Sequence, residues 1–161
     1  MTAKTFNEWV NLYTDGVYRF ILKNLRHEED ARDIVQGAFE KLWMNREQVS
    51  QVSVKSYLFT IAYNLMIDHL RKNKRTDLKE SFREEAKVDR SKGWELRQVL
   101  NEALEQLPAT WKSLVLLKDY EGYSYEEIGQ ITGLNSSQVK VYLHRARLQL
   151  RDYLVSVEKN L

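Results

Sequence analysis

The last third of the chain carries side chains that suit binding to a nucleic acid. Between Gln138 and Arg151 the sequence has no acidic residue, while basic residues recur at helical spacing. Cationic side chains bind phosphates, and hydroxyl, imidazole and guanidinium groups donate to base edges in a DNA groove. The polar face of this segment consists of Ser136, Ser137, Lys140, His144, Arg145 and Arg147. The pattern predicts a surface for double-stranded DNA; an ordinary helical hairpin with a solvated basic face is the alternative.

Two short helices joined by a tight turn must position this face. Ser124 and Glu127 have the spacing of a capping box that begins the first helix. Gly133 suits the left-handed residue that ends a helix, and Asn135 with Gln138 begins the second. The inward side of the second helix is apolar at Val139, Leu143 and Ala146. The spacing therefore predicts a helix-turn-helix, which places its second helix in a major groove.

A second set of candidate nucleic-acid ligands lies on a long helix predicted over residues 54–74. One side of this helix is apolar, and the other carries aromatic, amide and charged residues. Rings stack on unpaired bases, amides read base edges, and Arg or Lys binds phosphates. The residues on this side are Phe59, Tyr63, Asn64, Asp68, Arg71 and Lys72. In the alternative interpretation the aromatic rings only extend the core, and the basic residues are a solvated helix end.

The third candidate surface belongs to an amphipathic helix with an acidic beginning at residues 28–30. Apolar residues recur in steps of three and four from Ala31 to Trp43. The exposed side is predicted to carry Asp33, Gln36, Gly37 and Glu40. Glycine within a helix costs about 1 kcal/mol relative to alanine. Gly37 therefore marks either a place where a partner approaches closely or a surface position under little constraint.

Nothing in the sequence predicts catalysis. His27, His69 and His144 are on different predicted helices, and none has a histidine at a zinc-ligand spacing. The sequence also lacks cysteine, a phosphate-binding glycine loop and a G-x-S-x-G elbow. We therefore expect no enzymatic activity, no metal and no cofactor.

The composition favours a helical protein of a reducing cytoplasm. The chain has 161 residues with one proline, six glycines and no cysteine, which favours long helices without disulfides. Its formal net charge is only +2, so DNA contacts must come from local clusters of charge. The beginning lacks a secretory segment, and no apolar run approaches the roughly 20 residues of a membrane span. We expect no membrane insertion.

The helices fall into two groups along the chain. Residues 5–75 and 93–155 each contain apolar residues at helical spacing, whereas residues 76–92 are nearly all polar and of mixed charge. Such a polar segment cannot bury a face of its own. The sequence therefore predicts an all-α protein of two small helical domains joined by a polar linker, the second ending in the helix-turn-helix.

Several blocks of this sequence resemble the bacterial RNA polymerase sigma factors of the sigma-70 family. Residues 30–43 are similar to the family's region that docks on core polymerase, and residues 56–71 to the region that melts and reads the promoter −10 element. Residues 107–108, 125–129 and 139–147 are similar to the domain that reads the −35 element. Nothing resembles a third sigma domain, which indicates the extracytoplasmic-function (ECF) group.

The resemblance implies a role for each surface. Docking on the clamp helices of the polymerase β′ subunit is implied for Asp33, Gln36, Gly37 and Glu40, with Gly37 where the family often has glutamate. Contacts to the −10 element are implied for Tyr63, Asn64, Asp68, Arg71 and Lys72. Contacts to the −35 element are implied for Lys118, Ser137, Lys140, Val141, His144 and Arg145. Residues 45–53 match the loop that captures a flipped −10 base.

The implied function is that of a transcription initiation factor that directs polymerase to promoters. The implied partners are core RNA polymerase, through its β′ clamp helices and β subunit, promoter DNA and an anti-sigma factor. Two other classes compete with this interpretation. One is a stand-alone helix-turn-helix regulator with a helical sensor domain, and the other is a helical adaptor whose basic helix is incidental.

Overall fold

The computed structural model describes residues 2–50, 53–77 and 96–159. Within these ranges the protein contains helices and turns and no strand, so the all-α prediction is confirmed. The helices are α1 (Ala3–Leu25), α2 (Glu28–Met44), α3 (Val54–Asp77), α4 (Leu96–Glu105), α5 (Ala109–Val115), α6 (Tyr125–Thr132) and α7 (Ser136–Lys159). The predicted linker, residues 76–92, lies almost wholly outside the described residues.

Helices α1, α2 and α3 form an N-terminal unit around a shared apolar core. The predicted stripe of α2 is buried at Ala31, Ala38 and Leu42, which face α1 and α3. Helix α1 begins earlier than the Thr5–Glu8 spacing suggests, because Thr2 caps it by accepting a hydrogen bond from the Thr5 amide at 3.2 Å. It then runs unbroken to Leu25.

Helices α4 to α7 form a C-terminal unit in which α7 packs against the other three. The core of this unit includes Leu104, Leu114, Ile128, Ile131 and Leu143. Helix α5 does not end at Val115 but continues as a π-helical turn, Leu116–Tyr120. Turns of this kind are rare and widen the helix locally. This turn carries side chains that hold both α7 and the N-terminal unit in place.

The two units pack against each other, and their buried residues form one continuous apolar core. Helix α3 of the N-terminal unit lies against α6 of the C-terminal unit. The ring centroids of Phe59 and Tyr123 are 5.3 Å apart in an edge-to-face arrangement, which such rings prefer. The sequence did not predict this contact between the units.

No helix among the described residues is both long enough and apolar enough to cross a membrane.

Candidate nucleic-acid interface

The helix-turn-helix is held in shape by the predicted caps. The Ser124 side chain accepts a hydrogen bond from the Glu127 amide at 3.1 Å, and the Glu127 carboxylate accepts one from the Ser124 amide at 2.9 Å. Helix α6 ends at Gly133, whose φ of 79° lies in the left-handed region that favours glycine. The Gly133 amide donates to the Gly129 carbonyl at 2.8 Å. These bonds satisfy groups that a helix end otherwise leaves unpaired.

A second reciprocal cap begins α7, the candidate recognition helix. The Asn135 side chain accepts a hydrogen bond from the Gln138 amide at 2.8 Å, and the Gln138 side chain accepts one from the Asn135 amide at 3.0 Å. Both caps agree with the predicted positions. The turn between the helices is therefore specified by local chemistry.

The outer face of α7 is exposed as predicted. Val139, Leu143 and Ala146 are buried against the other helices of the unit. Exposed side chains on the opposite face are those of Ser137, Lys140, Val141, His144 and Arg145. Val141 is 44% exposed, which leaves an apolar side chain among the polar ones. Such a side chain can contact the methyl group of thymine in a major groove.

Tyr125, at the first position of α6, brings two predicted −35 contacts together. The ammonium group of Lys118 lies 4.8 Å from the centre of the Tyr125 ring, and that of Lys140 lies 5.5 Å from it. Lys118 is half-buried on the π-helical turn, whereas Lys140 is exposed on α7. Cations within about 6 Å of a ring face are attracted to it. The Tyr125 ring therefore attracts the ammonium groups of both lysines.

Arg147 differs from the sequence-based expectation of a solvated basic face. Its guanidinium donates two hydrogen bonds to the Asp119 carboxylate, at 2.8 and 3.4 Å. This hydrogen bonding raises the pKa of Arg147 above its ordinary value. The pair joins α7 to the π-helical turn, so Arg147 fixes the position of the helix. No local pattern could reveal it, because its partner is 28 residues away.

The second candidate surface, on α3, is exposed at four of the five predicted −10 contacts. These are Asn64, Asp68, Arg71 and Lys72. Tyr63 is only 6% exposed, and burial raises the pKa of its hydroxyl. Phe59, one helical turn earlier, is fully buried against Tyr123. The expectation that both rings lie on the exposed side was wrong: Tyr123 of the C-terminal unit packs on Phe59, and Tyr63, one turn further along α3, is buried too.

The exposed residues predicted on α2 lie together on one surface. Asp33, Gln36 and Glu40 are exposed, and the Gln36 side chain donates to the Glu40 carboxylate at 3.2 Å. Gly37 is half-buried because the side chain of Leu65 on α3 reaches it. A methyl group added at Gly37 would lie 3.4 Å from Leu65 Cδ1, an ordinary contact distance.

Two grooves border this surface of α2. A groove of about 310 Å³ separates α2 from α3, and it is lined by Asp33 and Gly37 on one side and by Asp68 and Lys72 on the other. The predicted docking face and the predicted −10 face are thus adjacent. A larger, mostly apolar groove of about 900 Å³ lies between α1 and α2, with Gln36 among its polar lining residues.

The segment predicted as a base-capturing loop, residues 45–53, begins with a 3₁₀ turn, Arg46–Gln48. The Arg46 guanidinium lies over the Trp43 ring at 4.0 Å and donates to the Trp43 carbonyl at 2.9 Å. The loop is therefore tied to the end of α2. Residues 51 and 52 lie outside the described ranges.

The histidines do not form a metal site with the groups around them. The Asp30 carboxylate lies 3.3 Å from His27 Nδ1 and 3.1 Å from His69 Nε2, which joins the start of α2 to α3. Within the ranges that the structure describes, no cluster of three or more His, Cys, Asp or Glu residues has a geometry suited to a metal ion.

Comparison with known protein families identifies both units. Residues 9–76 match the family described as Sigma-70 region 2, and residues 97–150 match Sigma-70, region 4. The chain is 33% identical over 139 residues to the RNA polymerase sigma factor SigV of Bacillus subtilis, covering 83% of this chain and 81% of that one. It is 30% identical to the ECF RNA polymerase sigma factor SigE of Mycolicibacterium smegmatis, covering 93% of this chain but only 62% of that one. The chain belongs to the ECF group of the bacterial sigma-70 family.

A solved structure shares the arrangement of the helices. The sigma factor RpoE of Bartonella quintana, crystallised in complex with the anti-sigma factor NepR, matches this protein with a TM-score of 0.79 at 26% identity. The match covers 94% of this chain and 98% of that one. The likeness therefore extends over both helical domains.

Proposed function

We propose that this protein is a sigma subunit that binds core RNA polymerase and directs it to promoters with −10 and −35 elements. The observation that carries the proposal is the presence of two differently built polar surfaces on two helical units. The surface on α7 suits duplex DNA, and the surface on α3 offers an amide and cations beside a loop. Because both units match regions of the sigma-70 family, core RNA polymerase is the partner proposed for both.

The C-terminal unit, over residues 93–155, is assigned to the −35 element. The exposed face of α7 fits a major groove, where Arg145 can bind a guanine edge and Lys140 a phosphate. The remaining residues of this assignment are Lys118, Ser137, Val141 and His144. Because this surface reads an intact duplex, its task is to position the polymerase.

The N-terminal unit, over residues 5–75, is assigned to polymerase docking and to the −10 element. Asp33, Gln36, Gly37 and Glu40 form the surface for the β′ clamp helices. On the adjacent face, Asn64 is assigned to base edges and Arg71 and Lys72 to phosphates, with Asp68 between them. Capture of flipped bases by the loop at residues 45–53 offsets a few kcal/mol of unstacking, so melting proceeds without ATP. Tyr63 can contact the −10 element only in an arrangement in which its ring is exposed, because the side chain is buried here.

Because its proposed partners are polymerase and promoter DNA, we assign the protein to the bacterial cytoplasm. We assign it no catalytic activity of its own. Polymerase supplies the catalysis, and residues 76–92 are assigned as the linker that threads through it to let the second unit reach the β subunit. Its structural neighbour was solved with an anti-sigma factor. An anti-sigma factor is therefore proposed as a regulatory partner here too.

Run-off transcription with core polymerase and a panel of promoter templates tests the proposal. We expect promoter-specific transcripts only when this chain is added to core enzyme. A template with a scrambled −10 element and one with a scrambled −35 element serve as matched controls. Absence of any stimulation, together with tight binding of free duplex DNA, would indicate the stand-alone regulator instead. Absence of DNA dependence in every assay would indicate an adaptor.

A further inference from the structure

The outer side of α7 carries a row of apolar residues that is exposed along the whole helix. Val141, Leu148 and Val155 are 44%, 36% and 42% exposed. They are seven residues apart, which is close to two turns, so they lie in line on one side of the helix. Val139 and Val157, on the opposite side, are buried. Single exposed apolar side chains are common, whereas an aligned row of them indicates a contact surface.

Binding to a duplex accounts for the first residue of this row only. A recognition helix contacts base edges through its N-terminal residues, because a duplex curves away from a straight helix. Leu148 lies about three turns after the start of α7, and Val155 lies about five turns after it. A −35 element therefore does not explain why these two exposed residues are apolar.

The row is complementary to a copy of itself that runs in the opposite direction. When Leu148 lies beside Leu148 of a second copy, the equal spacing places Val141 of each copy beside Val155 of the other. All three apolar side chains are then covered. On a straight helix a seven-residue repeat drifts by about 20° per repeat, and two helices that cross at about 20° follow this drift.

Charged residues beside the row favour the same register. Arg145 is three residues before Leu148, Asp152 is four residues after it, and both are exposed on the same side of the row. An antiparallel pair with two-fold symmetry brings equivalent sides together, so Arg145 of each copy lies opposite Asp152 of the other. On the other side of the row, Lys140 and Glu158 are placed to pair in the same way.

A parallel pair of α7 helices fits the charges less well. It would place Arg145 opposite Lys140 of the second copy, because a parallel pair joins opposite sides of the row. In the antiparallel pair Arg151 has no acidic partner on the second copy, but it lies 3.9 Å from Asp152 of its own chain. The antiparallel arrangement is therefore the one that the sequence of α7 favours.

We propose that the apolar row on α7 is a self-association surface, through which two copies of this chain pair antiparallel and cover each other's −35 face. The regulatory part of this inference rests on the proposed sigma function, since Val141 and Arg145 then contact either a second copy or DNA. A pair of single helices buries less area than the about 1,200–2,000 Å² of stable complexes. We expect weak association, with a dissociation constant of roughly 10–100 µM, that promoter DNA can reverse.

Cysteine substitution tests the register directly, because the sequence has no cysteine. In the antiparallel pair position 148 faces its own copy, whereas position 155 is about 21 Å from its copy along the helix axis. A disulfide requires Cα atoms within about 7 Å. We expect Leu148→Cys to form an oxidised dimer about tenfold faster than Val155→Cys alone. A mixture of Val141→Cys and Val155→Cys chains should also cross-link faster than either alone. Equal rates at positions 148 and 155 would overturn the proposal.

Sedimentation equilibrium of the full chain measures the association itself. We expect the average mass to rise from that of a 19.2 kDa monomer towards twice that value as the concentration increases to about 100 µM. Leu148→Gln should weaken association by about tenfold or more, since each dimer loses both central leucines. Leu12→Gln, at an exposed apolar residue of α1, is the matched control and should change nothing. A monomer at every concentration, or an equal loss in both variants, would refute the surface.

The predicted charge pair provides a second test, which also serves if Leu148→Gln lowers the helix content measured by circular dichroism. Asp152→Arg places like charges opposite each other and should weaken association several-fold. Combining Asp152→Arg with Arg145→Glu restores an opposite-charge pair and should restore association. Without that recovery the antiparallel register would be wrong.

A short duplex with only the −35 element, taken from a promoter that the chain transcribes, tests the link to DNA. We expect it to convert dimers into complexes with one chain per duplex, because α7 cannot contact both partners. Binding of the duplex to an intact dimer would refute the masking of the −35 face. If the chain self-associates but supports no transcription, the proposed function fails while the surface stands. Transcription by a chain that stays monomeric would have the opposite meaning.

Discussion

At the scale of single residues, the structure separates side chains that are available to a partner from those already used inside the protein. Arg145 and Arg147 are two positions apart on α7 and look equivalent in sequence. Arg145 is exposed on the face assigned to DNA, whereas Arg147 is bonded to Asp119. Their substitutions should therefore have different consequences.

We expect Arg145→Ala to weaken binding of a −35 duplex by about 1–3 kcal/mol if it makes a two-pronged base contact. The loss should then depend on the base at one position of the element. Arg147→Ala should weaken all sequences alike, and Asp119→Asn should reproduce it because both changes break the same pair. Fluorescence anisotropy with a set of single-base variants distinguishes these patterns. A uniform loss with Arg145→Ala would assign that side chain to a phosphate.

Gly37→Ala should stabilise the protein by up to about 1 kcal/mol, because alanine favours a helix and its methyl group meets Leu65 at an ordinary distance. Urea denaturation followed by circular dichroism measures the change. Gly122→Ala is the matched control. At its φ of 78° a side chain is strained, so we expect a loss of about 1–2 kcal/mol. A destabilised Gly37→Ala would show that the groove beside Leu65 tolerates no added atom.

At the scale of elements, the helix-turn-helix is specified by its caps. The Ser124 amide donates to the Glu127 carboxylate, and this bond is the main reason that the pKa of Glu127 is lowered from its ordinary 4.5. A carboxyl with a lowered folded pKa adds stability above pH 4.5. That contribution is lost as the pH falls through the folded value.

Glu127→Gln keeps a side-chain oxygen for the Ser124 amide but removes the charge. We expect the variant to be less stable than the unmodified protein at pH 7 by under about 1 kcal/mol, since the group is at a helix start. The difference should shrink between pH 5 and pH 3. Thermal unfolding at several pH values gives the comparison. A difference that stays constant down to pH 3 would show that the charge of Glu127 is unimportant.

At the scale of the whole molecule, the surfaces assigned to polymerase and to the −35 element are both exposed while the two units are in contact. The contact between the units therefore leaves the proposed docking surface on α2 available. What the contact covers on α3 is Phe59, on which the Tyr123 ring packs.

Gln36→Arg tests the proposed docking surface without changing a residue of the contact between the two units. The larger cation replaces an amide that bonds to Glu40, and we expect co-purification with core polymerase to be lost while helix content is unchanged. Lys41→Arg, a conservative change at another exposed position of α2, is the control. If Gln36→Arg co-purifies as well as the unmodified chain, the docking surface lies elsewhere.

The sequence by itself determined the local features of this protein. Caps at Ser124 and Asn135, the stop at Gly133 and the apolar stripe of α2 each depend on side chains within four residues of one another. Those interactions are set by helix geometry, so spacing is enough to predict them. The outward side of α7 followed for the same reason.

Only the tertiary structure decided how the helices meet across long separations in the chain. Arg19 with Glu121, Asn24 with Ser113, and Asp119 with Arg147 are pairs that no periodic pattern connects. The burial of Phe59 and Tyr63 has the same origin. When a helix bears apolar residues on two sides, its second side can either face solvent or be buried against another unit. Which of the two occurs depends on what packs against it. The C-terminal unit packs there through Tyr123 and covers Phe59, whereas the predicted −10 contacts Asn64, Asp68, Arg71 and Lys72 are exposed.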